Sequence, residues 1–121
     1  MILVDTSVWV EHLRKGNLRL QTLLDDEAVF CHPFVIGELA CGNLRNREEI
    51  LNLLAELPQA RIAEHDEVLH LIETERLYGR GLGWVDVHLI ASARITGCSL
   101  LTLDKPLQRV AADLRIRYVA S

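Results

Sequence analysis

The first thirteen residues, MILVDTSVWVEHL (1–13), place a short apolar run directly before an aspartate and a helical pattern. Ile2, Leu3 and Val4 do not alternate with polar residues, which is typical of a strand that is covered on both faces. A buried strand followed at once by a helix is the repeating unit of α/β folds with a parallel sheet. We therefore expect a strand at 2–4, with Asp5 either capping the next helix or serving as a functional group.

The same alternation of strand and helix continues along the chain. Further strands are expected at 28–30, 99–103 and 116–119, with another near 61–63. The expected helices are 7–15, 18–25, 33–42, one opened by Asn46 with Glu49 as a capping box and closed by Pro58, one opened by Asp66, 86–96, and a last one after Pro106. This order predicts an α/β fold with a mostly parallel sheet of four to five strands and helices on both sides.

Length and composition describe one globular domain. The chain has 121 residues, of which 50% are hydrophobic and 25% are charged, with a net charge of −4. We expect a single domain over residues 1–121. The apolar runs are much shorter than the roughly 18 residues of a membrane-spanning helix, and the start lacks the features of a signal peptide. Three unpaired cysteines agree with a reducing compartment, so we expect a cytoplasmic protein.

Two aspartates follow predicted strands, and a third opens a predicted helix. Asp5 follows 2–4 and Asp104 follows 99–103, while Asp86 begins the helix after GLGW (81–84). The carboxyl ends of parallel strands share one edge of a sheet, which is where such folds bind ligands. Each aspartate also suits a helix N-cap, which stabilises a protein by about 1 kcal/mol. Capping and ligand binding therefore both remain open for these three residues.

Glu38 is harder to explain as a cap, because it lies inside the helix of PFVIGELACG (33–42). Its neighbours one turn away, including Val35 and Cys41, are apolar or small, so we expect a carboxylate facing an apolar surface that needs a cation or hydrogen-bond donors. The alternative is a buried glutamate bonded to ordinary backbone or hydroxyl donors. If Asp5, Glu38, Asp86 and Asp104 converge, a hard divalent cation such as Mg²⁺ or Mn²⁺ suits this oxygen-rich set.

Four motifs resemble the PIN-domain ribonucleases, in particular the VapC toxins of prokaryotic toxin-antitoxin pairs. They are ILVDTSVWVEHLR (2–14), VIGELACGNL (35–44), GLGWVDVHLIASA (81–93) and LLTLD (100–104), in the family's order and across nearly the whole chain. The resemblance implies a three-layer α/β/α fold and metal-dependent cleavage of RNA. Asp104 precedes Lys105, Pro106 and Leu107, which departs from the sequence that follows the last aspartate in many members.

The resemblance also assigns roles to residues. Asp5, Glu38, Asp86 and Asp104 would be catalytic, and Asp5, Asp86 and Asp104 would hold Mg²⁺ or Mn²⁺. Thr6, Ser7 and Thr102 would be accessory contacts to these acids or to water. Helix capping is the other explanation for these three hydroxyls.

Basic residues near the predicted edge could bind the RNA backbone. The candidates are Arg14, Lys15, Arg45, Arg47 and Arg80, each of which could equally be ordinary solvated surface. The resemblance further implies a VapB-type antitoxin that inserts a basic residue among the carboxylates, and a homodimer. The alternative function is a catalytically silent PIN-like module that binds RNA or a protein.

Overall fold

The computed structural model describes residues 1–119, in which three strands alternate with seven helices. The strands are β1 (Ile2–Val4), β2 (Val29–Phe30) and β3 (Ser99–Leu101). The helices are α1 (Thr6–Lys15), α2 (Leu18–Asp25), α3 (Pro33–Ala40), α4 (Arg47–Glu56), α5 (His65–Thr74), α6 (Trp84–Thr96) and α7 (Lys105–Asp113). The predicted α/β class is confirmed.

The strands form one parallel sheet in the order β2-β1-β3. Leu3 in the central strand pairs with Phe30 on one side and with Leu100 on the other. All three residues of β1 are buried. Successive side chains of a strand point to opposite faces, so both faces of the sheet are covered, as the unalternated run at 2–4 predicts.

The sheet is narrower than the predicted four to five strands. The expected strand at 116–119 is reduced to one parallel bridge between Leu100 and Arg117, and on the other edge Cys31 forms one bridge with Gln59. The strand expected near 61–63 is absent from the described residues, and Arg61 N donates to the side-chain oxygen Thr96 Oγ1 at 3.0 Å in place of a strand partner. Each outer segment therefore pairs with the sheet at one position, Arg117 within the expected strand and Gln59 two residues before the other.

The predicted capping of α4, the predicted cap of α5 and the predicted start of α6 differ from the structure. Asn46 precedes α4 with a left-handed φ of 53° and makes no capping bond, so its predicted capping box is wrong. Helix α5 begins after Glu64, whose backbone N donates to Glu67 Oε1 at 2.8 Å, and Asp66 does not cap it. Helix α6 begins at Trp84, two residues before the predicted start at Asp86. Side chains of Asn, Asp and Glu compete for caps within a few residues, and spacing alone does not rank them.

The helices next to the candidate site are fixed by their buried faces. Val8 of α1, Leu89 of α6 and Leu107 of α7 are each 0% exposed and belong to the same core as Leu3 and Leu100 of the sheet. The first turns of these helices are therefore held firmly against the sheet. None of the helices within residues 1–119 combines the length and the apolar character needed to cross a membrane.

Candidate active site

Asp5 lies at the carboxyl end of β1 and is 5% exposed. Its Oδ2 accepts hydrogen bonds from Ser7 Oγ at 2.7 Å, from Thr102 Oγ1 at 2.7 Å and from Ser7 N at 3.4 Å. The last bond makes Asp5 the N-cap of α1. The same carboxylate oxygen therefore caps α1 and accepts both hydroxyl bonds, as is usual for a buried polar group.

The hydroxyls of Ser7 and Thr102 join the ends of β1 and β3. Ser7 Oγ accepts from Leu103 N at 3.0 Å, and Thr102 Oγ1 accepts from Asp104 N at 3.0 Å, while both hydroxyls donate to Asp5. A hydroxyl can donate one hydrogen bond and accept two. Each hydroxyl therefore bonds to a residue that follows β1 and to a residue that follows β3. This network sets the position of Asp5 relative to Asp104.

Asp104 caps α7 through a hydrogen bond from Leu107 N to Oδ2 at 3.1 Å. The residue is exposed, in contrast to buried Asp5. The segment that carries it is held by Gln108, whose Nε2 donates to Thr102 O at 2.7 Å. Asp104 is thus presented to solvent by a turn that is itself anchored.

Glu38 is exposed, contrary to the expectation that its helix face is apolar and covered. Cys41 and Gly42, which follow it on α3 and just beyond, are exposed as well. Thr6 Oγ1 donates to Glu38 Oε1 at 2.6 Å, which ties the glutamate to the first residue of α1. Glu38 therefore reaches the same edge of the sheet as Asp5 without being buried there.

Asp86 is the third residue of α6, and its Oδ2 accepts from Gly83 N at 2.8 Å. Burial is the main cause that raises the pKa of the Asp86 carboxyl above its usual value, and the bond from Gly83 opposes it. The negative charges of Asp5, Asp104 and Glu38 raise this pKa further. The pKa of Asp86 therefore depends on the charges of the other three carboxylates. Asp5, Glu38, Asp86 and Asp104 are the candidate acids.

The candidate acids share one arrangement. Each has one oxygen in a hydrogen bond to the protein, and residues 1–119 supply no donor to its second oxygen. Anchored carboxylates with a free oxygen are chemically suited to a hard divalent cation. Within the described residues, however, no three Asp, Glu, His or Cys side chains surround a common point closely enough to enclose an ion. Mutual repulsion of like charges favours this spacing.

Of the five predicted RNA-binding residues, two have unpaired side chains among the described residues and three are bonded to other protein groups. Arg14 and Arg45 line a groove of about 680 Å³ that also contains Glu38, and neither makes an ion pair or side-chain hydrogen bond within residues 1–119. The other three are engaged. Lys15 pairs with Glu11 at 3.4 Å, Arg80 pairs with Asp113 at 2.7 Å, and Arg47 donates to the carbonyl oxygens of Ala40 and Gly42 at the end of α3.

An aromatic cluster lies at the start of α6. The sequence left Trp84 open between stacking on bases and packing in the core, and it did not predict the cluster. It consists of Phe34, His65, Trp84 and His88, whose rings lie at centroid distances of 4.6 Å for Phe34 to His88, 4.8 Å for Trp84 to His88 and 5.1 Å for His65 to Trp84. The spacing of Trp84 and His88, four residues apart on one helix, is the sequence signal for that part of the cluster. Phe34 and His65 come from other helices, and no local pattern links them to it.

Comparison with known proteins agrees with this architecture. Residues 2–113 match the sequence model of the PIN domain family, and the chain belongs to that family. Ribonuclease VapC32 from two strains of Mycobacterium tuberculosis is 52% identical over 114 residues, covering 93% of this chain and 92% of that protein. The crystal structure of FitAcB from Neisseria gonorrhoeae has a similar fold, with a TM-score of 0.64 and 26% identity, covering 93% of this chain and 94% of that one. The resemblance to PIN-domain and VapC proteins is confirmed.

Proposed function

We propose that this chain is a ribonuclease that hydrolyses RNA phosphodiester bonds with Mg²⁺ or Mn²⁺, and that it is the toxin of a VapBC-type toxin-antitoxin pair. Membership of the PIN domain family and the 52% identity to ribonuclease VapC32 support this activity. The observation that carries the proposal is the hydrogen-bond network that ties Glu38, Asp5 and Asp104 to the carboxyl ends of β1 and β3. The four candidate acids lie at the ends of strands or on helices at the carboxyl edge of the sheet, which is a common position for active sites.

The hydroxyl network holds the acids for this chemistry. Ser7 and Thr102 fix the direction of the Asp5 side chain, because both donate to the same carboxylate oxygen. Thr6 holds Glu38 through Oε1, which leaves Oε2 to accept a proton from the attacking water. Attack by water leaves a 5′-phosphate and a 3′-hydroxyl on the products.

Asp5, Asp86 and Asp104 are the residues that would hold the cation, each through the oxygen not used in a protein hydrogen bond. When bound, a divalent cation neutralises the carboxylates, lowers the pKa of water and stabilises the charge that develops on the phosphate. This neutralisation offsets the repulsion among the candidate acids.

Replacement of one coupled acid tests the activity. Asp86→Asn retains an acceptor for Gly83 N but removes the charge, and we expect RNA cleavage to fall by at least about 100-fold. Cleavage is measured from the appearance of 5′-phosphate ends on total RNA in Mg²⁺ or Mn²⁺. The matched control is Asp26→Asn, an exposed acid at the end of α2 whose side chain makes no hydrogen bond within residues 1–119. Equal cleavage by wild type and Asp86→Asn contradicts the proposal.

A catalytically silent module is the second candidate, and the spacing of the candidate acids favours it, since no three of them enclose an ion among the described residues. Calorimetric titration with Mn²⁺ separates the two. The ribonuclease requires binding by wild type that Asp5→Asn weakens. Absence of binding by wild type, or equal binding by both proteins, favours the silent module.

The expected partner is a VapB-type antitoxin whose Arg or Lys enters among the candidate acids. The acids supply the complementary charge, and the groove next to Glu38 supplies apolar contact through Val10, Leu13 and Ile50. A complex that survives replacement of every basic residue in the partner's tail contradicts this mode of inhibition. A homodimer and a cytoplasmic location complete the proposal, and sedimentation of the purified chain tests the dimer.

A further inference from the structure

The aromatic cluster is the unexplained feature nearest to the candidate acids. Trp84 is the first residue of α6 and Asp86 is the third, so both lie in the first turn of this helix, with their side chains on different sides of it. The ring of Trp84 packs edge-on against His88 of the next turn, with an interplanar angle of 82°, and at 52° against His65 of α5. Two neighbours from two helices therefore fix the position of this indole.

Trp84 remains exposed despite these contacts. Its exposed fraction is 40%, whereas Trp9, the other tryptophan, is 3% exposed and belongs to the core. The exposed part of the indole is apolar area in contact with water, and a planar ligand that covers it gains the free energy of burying that area. Holding the ring in advance also lowers the entropy that binding would cost.

One buried nitrogen atom of the aromatic cluster has no hydrogen-bond partner among the described residues. His88 is 4% exposed, and its buried Nδ1 has no hydrogen-bond partner within residues 1–119. Buried polar atoms without partners are uncommon in folded proteins. The cluster thus combines an exposed ring with an unsatisfied buried nitrogen, a combination that packing alone does not account for.

The charges around Trp84 indicate what can bind there. Acidic side chains lie at the starts of both helices that contribute rings, with Glu64, Asp66 and Glu67 at α5 and Asp86 at α6. An anionic segment or a phosphate placed directly on this surface would be repelled. A nucleobase is a neutral, planar ring, and it can stack on an indole while its own phosphate lies elsewhere.

We propose that Trp84 stacks on a base of single-stranded RNA next to the phosphate that the candidate acids engage. This inference rests on the proposed ribonuclease function and adds a positioning contact to it. Stacking holds one nucleotide against the first turn of α6, the turn that also carries Asp86, and the strand continues from there toward the candidate acids. Every base offers a stacking face, so this contact selects unpaired RNA more than a particular base.

The test compares a short single-stranded oligoadenylate with the same sugar-phosphate strand lacking its bases. Binding is measured for Asp5→Asn protein, in which cleavage is disabled, by the change in tryptophan fluorescence. We expect the strand with bases to bind about 5- to 150-fold more tightly, the range for one stacked base. Adding Trp84→Leu removes this preference, and Trp84→Phe keeps most of it because an aromatic ring remains; dye-labelled strands report on these variants.

Leu53→Ala is the matched control, since Leu53 is 53% exposed on α4 and lies outside the aromatic cluster. Its preference for bases should equal that of the parent protein. A preference that survives in Trp84→Leu overturns the inference, as does a parent protein that binds both strands equally. A change in sedimentation of Trp84→Leu without a change in base preference also overturns it and assigns Trp84 to a protein interface.

Cleavage by the protein with native Asp5 is measured in parallel. Absence of cleavage together with intact base preference contradicts the ribonuclease and leaves stacking standing. Cleavage with unchanged KM and kcat in Trp84→Leu contradicts the stacking contact and leaves the ribonuclease standing. The two failures are therefore distinguishable.

Discussion

At the scale of single residues, Asp5 accepts the capping bond of α1 and leaves Oδ1 without a donor from residues 1–119. The two explanations raised by the sequence are therefore compatible, because a carboxylate has two oxygens. Glu38 and Asp104 follow the same pattern while being exposed, and Asp86 follows it with partial burial. The hydroxyls of Thr6, Ser7 and Thr102 decide which oxygen of Glu38 and Asp5 is occupied.

Thr102→Val tests the hydroxyl network without changing side-chain shape much. Thr102 is 3% exposed, and its hydroxyl serves both Asp5 Oδ2 and Asp104 N. Its loss leaves Asp104 N without that acceptor, and we expect the free energy of unfolding to fall by about 1–3 kcal/mol. Urea denaturation measures this. Thr74→Val is the control, because Thr74 is exposed and its hydroxyl bonds within its own helix. Equal stability of the two variants would contradict the network's importance.

At the scale of elements, the candidate site is built from the ends of strands and the beginnings of helices. Asp5 and Asp104 are the N-caps of α1 and α7, and Asp86 lies in the first turn of α6. A helix that connects parallel strands runs back across the sheet, so its first turn lies at the carboxyl edge. The helix dipole favours negative charge in that turn. This partly offsets the repulsion among the candidate acids.

Helix α3, which carries Glu38, depends on a buried histidine at its start. His32 is 0% exposed, its Nδ1 accepts from Phe34 N at 2.9 Å, and its Nε2 lies 2.9 Å from Ser92 Oγ. Burial, with a smaller contribution from His88, lowers the pKa of His32 from 6.5 to about 4. Between these values the unfolded chain binds more protons than the folded one. The stabilisation is therefore complete above pH 6.5 and is lost as the pH falls toward about 4.

His32→Asn tests this pH dependence, because asparagine can still cap α3 but does not titrate. We expect the variant to be less stable than wild type at pH 7, since it loses the contact with Ser92. The difference in free energy of unfolding between wild type and variant should shrink by up to about 1.4 kcal/mol for each pH unit below the pKa of His32 in the unfolded chain. Urea denaturation at several pH values measures it. A difference that stays constant with pH would show that His32 does not titrate as described.

At the scale of the whole molecule, charge is distributed unevenly. The chain has 17 acidic and 13 basic residues, so without the four candidate acids the two numbers are equal, 17 − 4 = 13. The net charge of −4 therefore equals the charge of the candidate acids, and it does not exclude an anionic substrate. Arg14 and Arg45 remain available beside Glu38, whereas Lys15, Arg47 and Arg80 are engaged elsewhere.

The salt dependence of RNA binding tests whether Arg14 and Arg45 are the cations that contact RNA phosphates. Each phosphate contact on a single strand contributes about 0.7 to the slope of log K against log salt concentration. For the double variant Arg14→Ala and Arg45→Ala, we therefore expect the magnitude of this slope to decrease by about 1.4. Filter binding of single-stranded RNA at several salt concentrations measures the slope. Arg94→Ala, which removes a cation already paired with Glu75 at 3.2 Å, should leave it unchanged. An unchanged slope in the double variant would exclude these two arginines as phosphate contacts.

The sequence by itself determined the fold class, the central strand, the existence of the seven helices and the identity of the candidate acids. The strands and helices follow from local patterns, namely apolar runs and helical periodicity. Of the acids, Asp5 and Asp104 follow predicted strands, Asp86 opens a predicted helix and Glu38 lies inside one. The sequence overestimated the sheet at both edges, because a strand there depends on how long two distant segments stay within hydrogen-bond distance. The cap of α5 was misplaced from Glu64 to Asp66 for a related reason, since several acids in a row can serve and packing selects one.

Tertiary structure alone decided what each functional group touches. Thr6 reaches Glu38 across 32 residues and Thr102 reaches Asp5 across 97, and such contacts leave no periodic signal in the sequence. Folding also separated the tryptophans, with Trp9 buried and Trp84 exposed, although both occupy early positions of helices. The physical reason is that local sequence sets the conformation of a segment, whereas burial and charge coupling depend on which segments pack together.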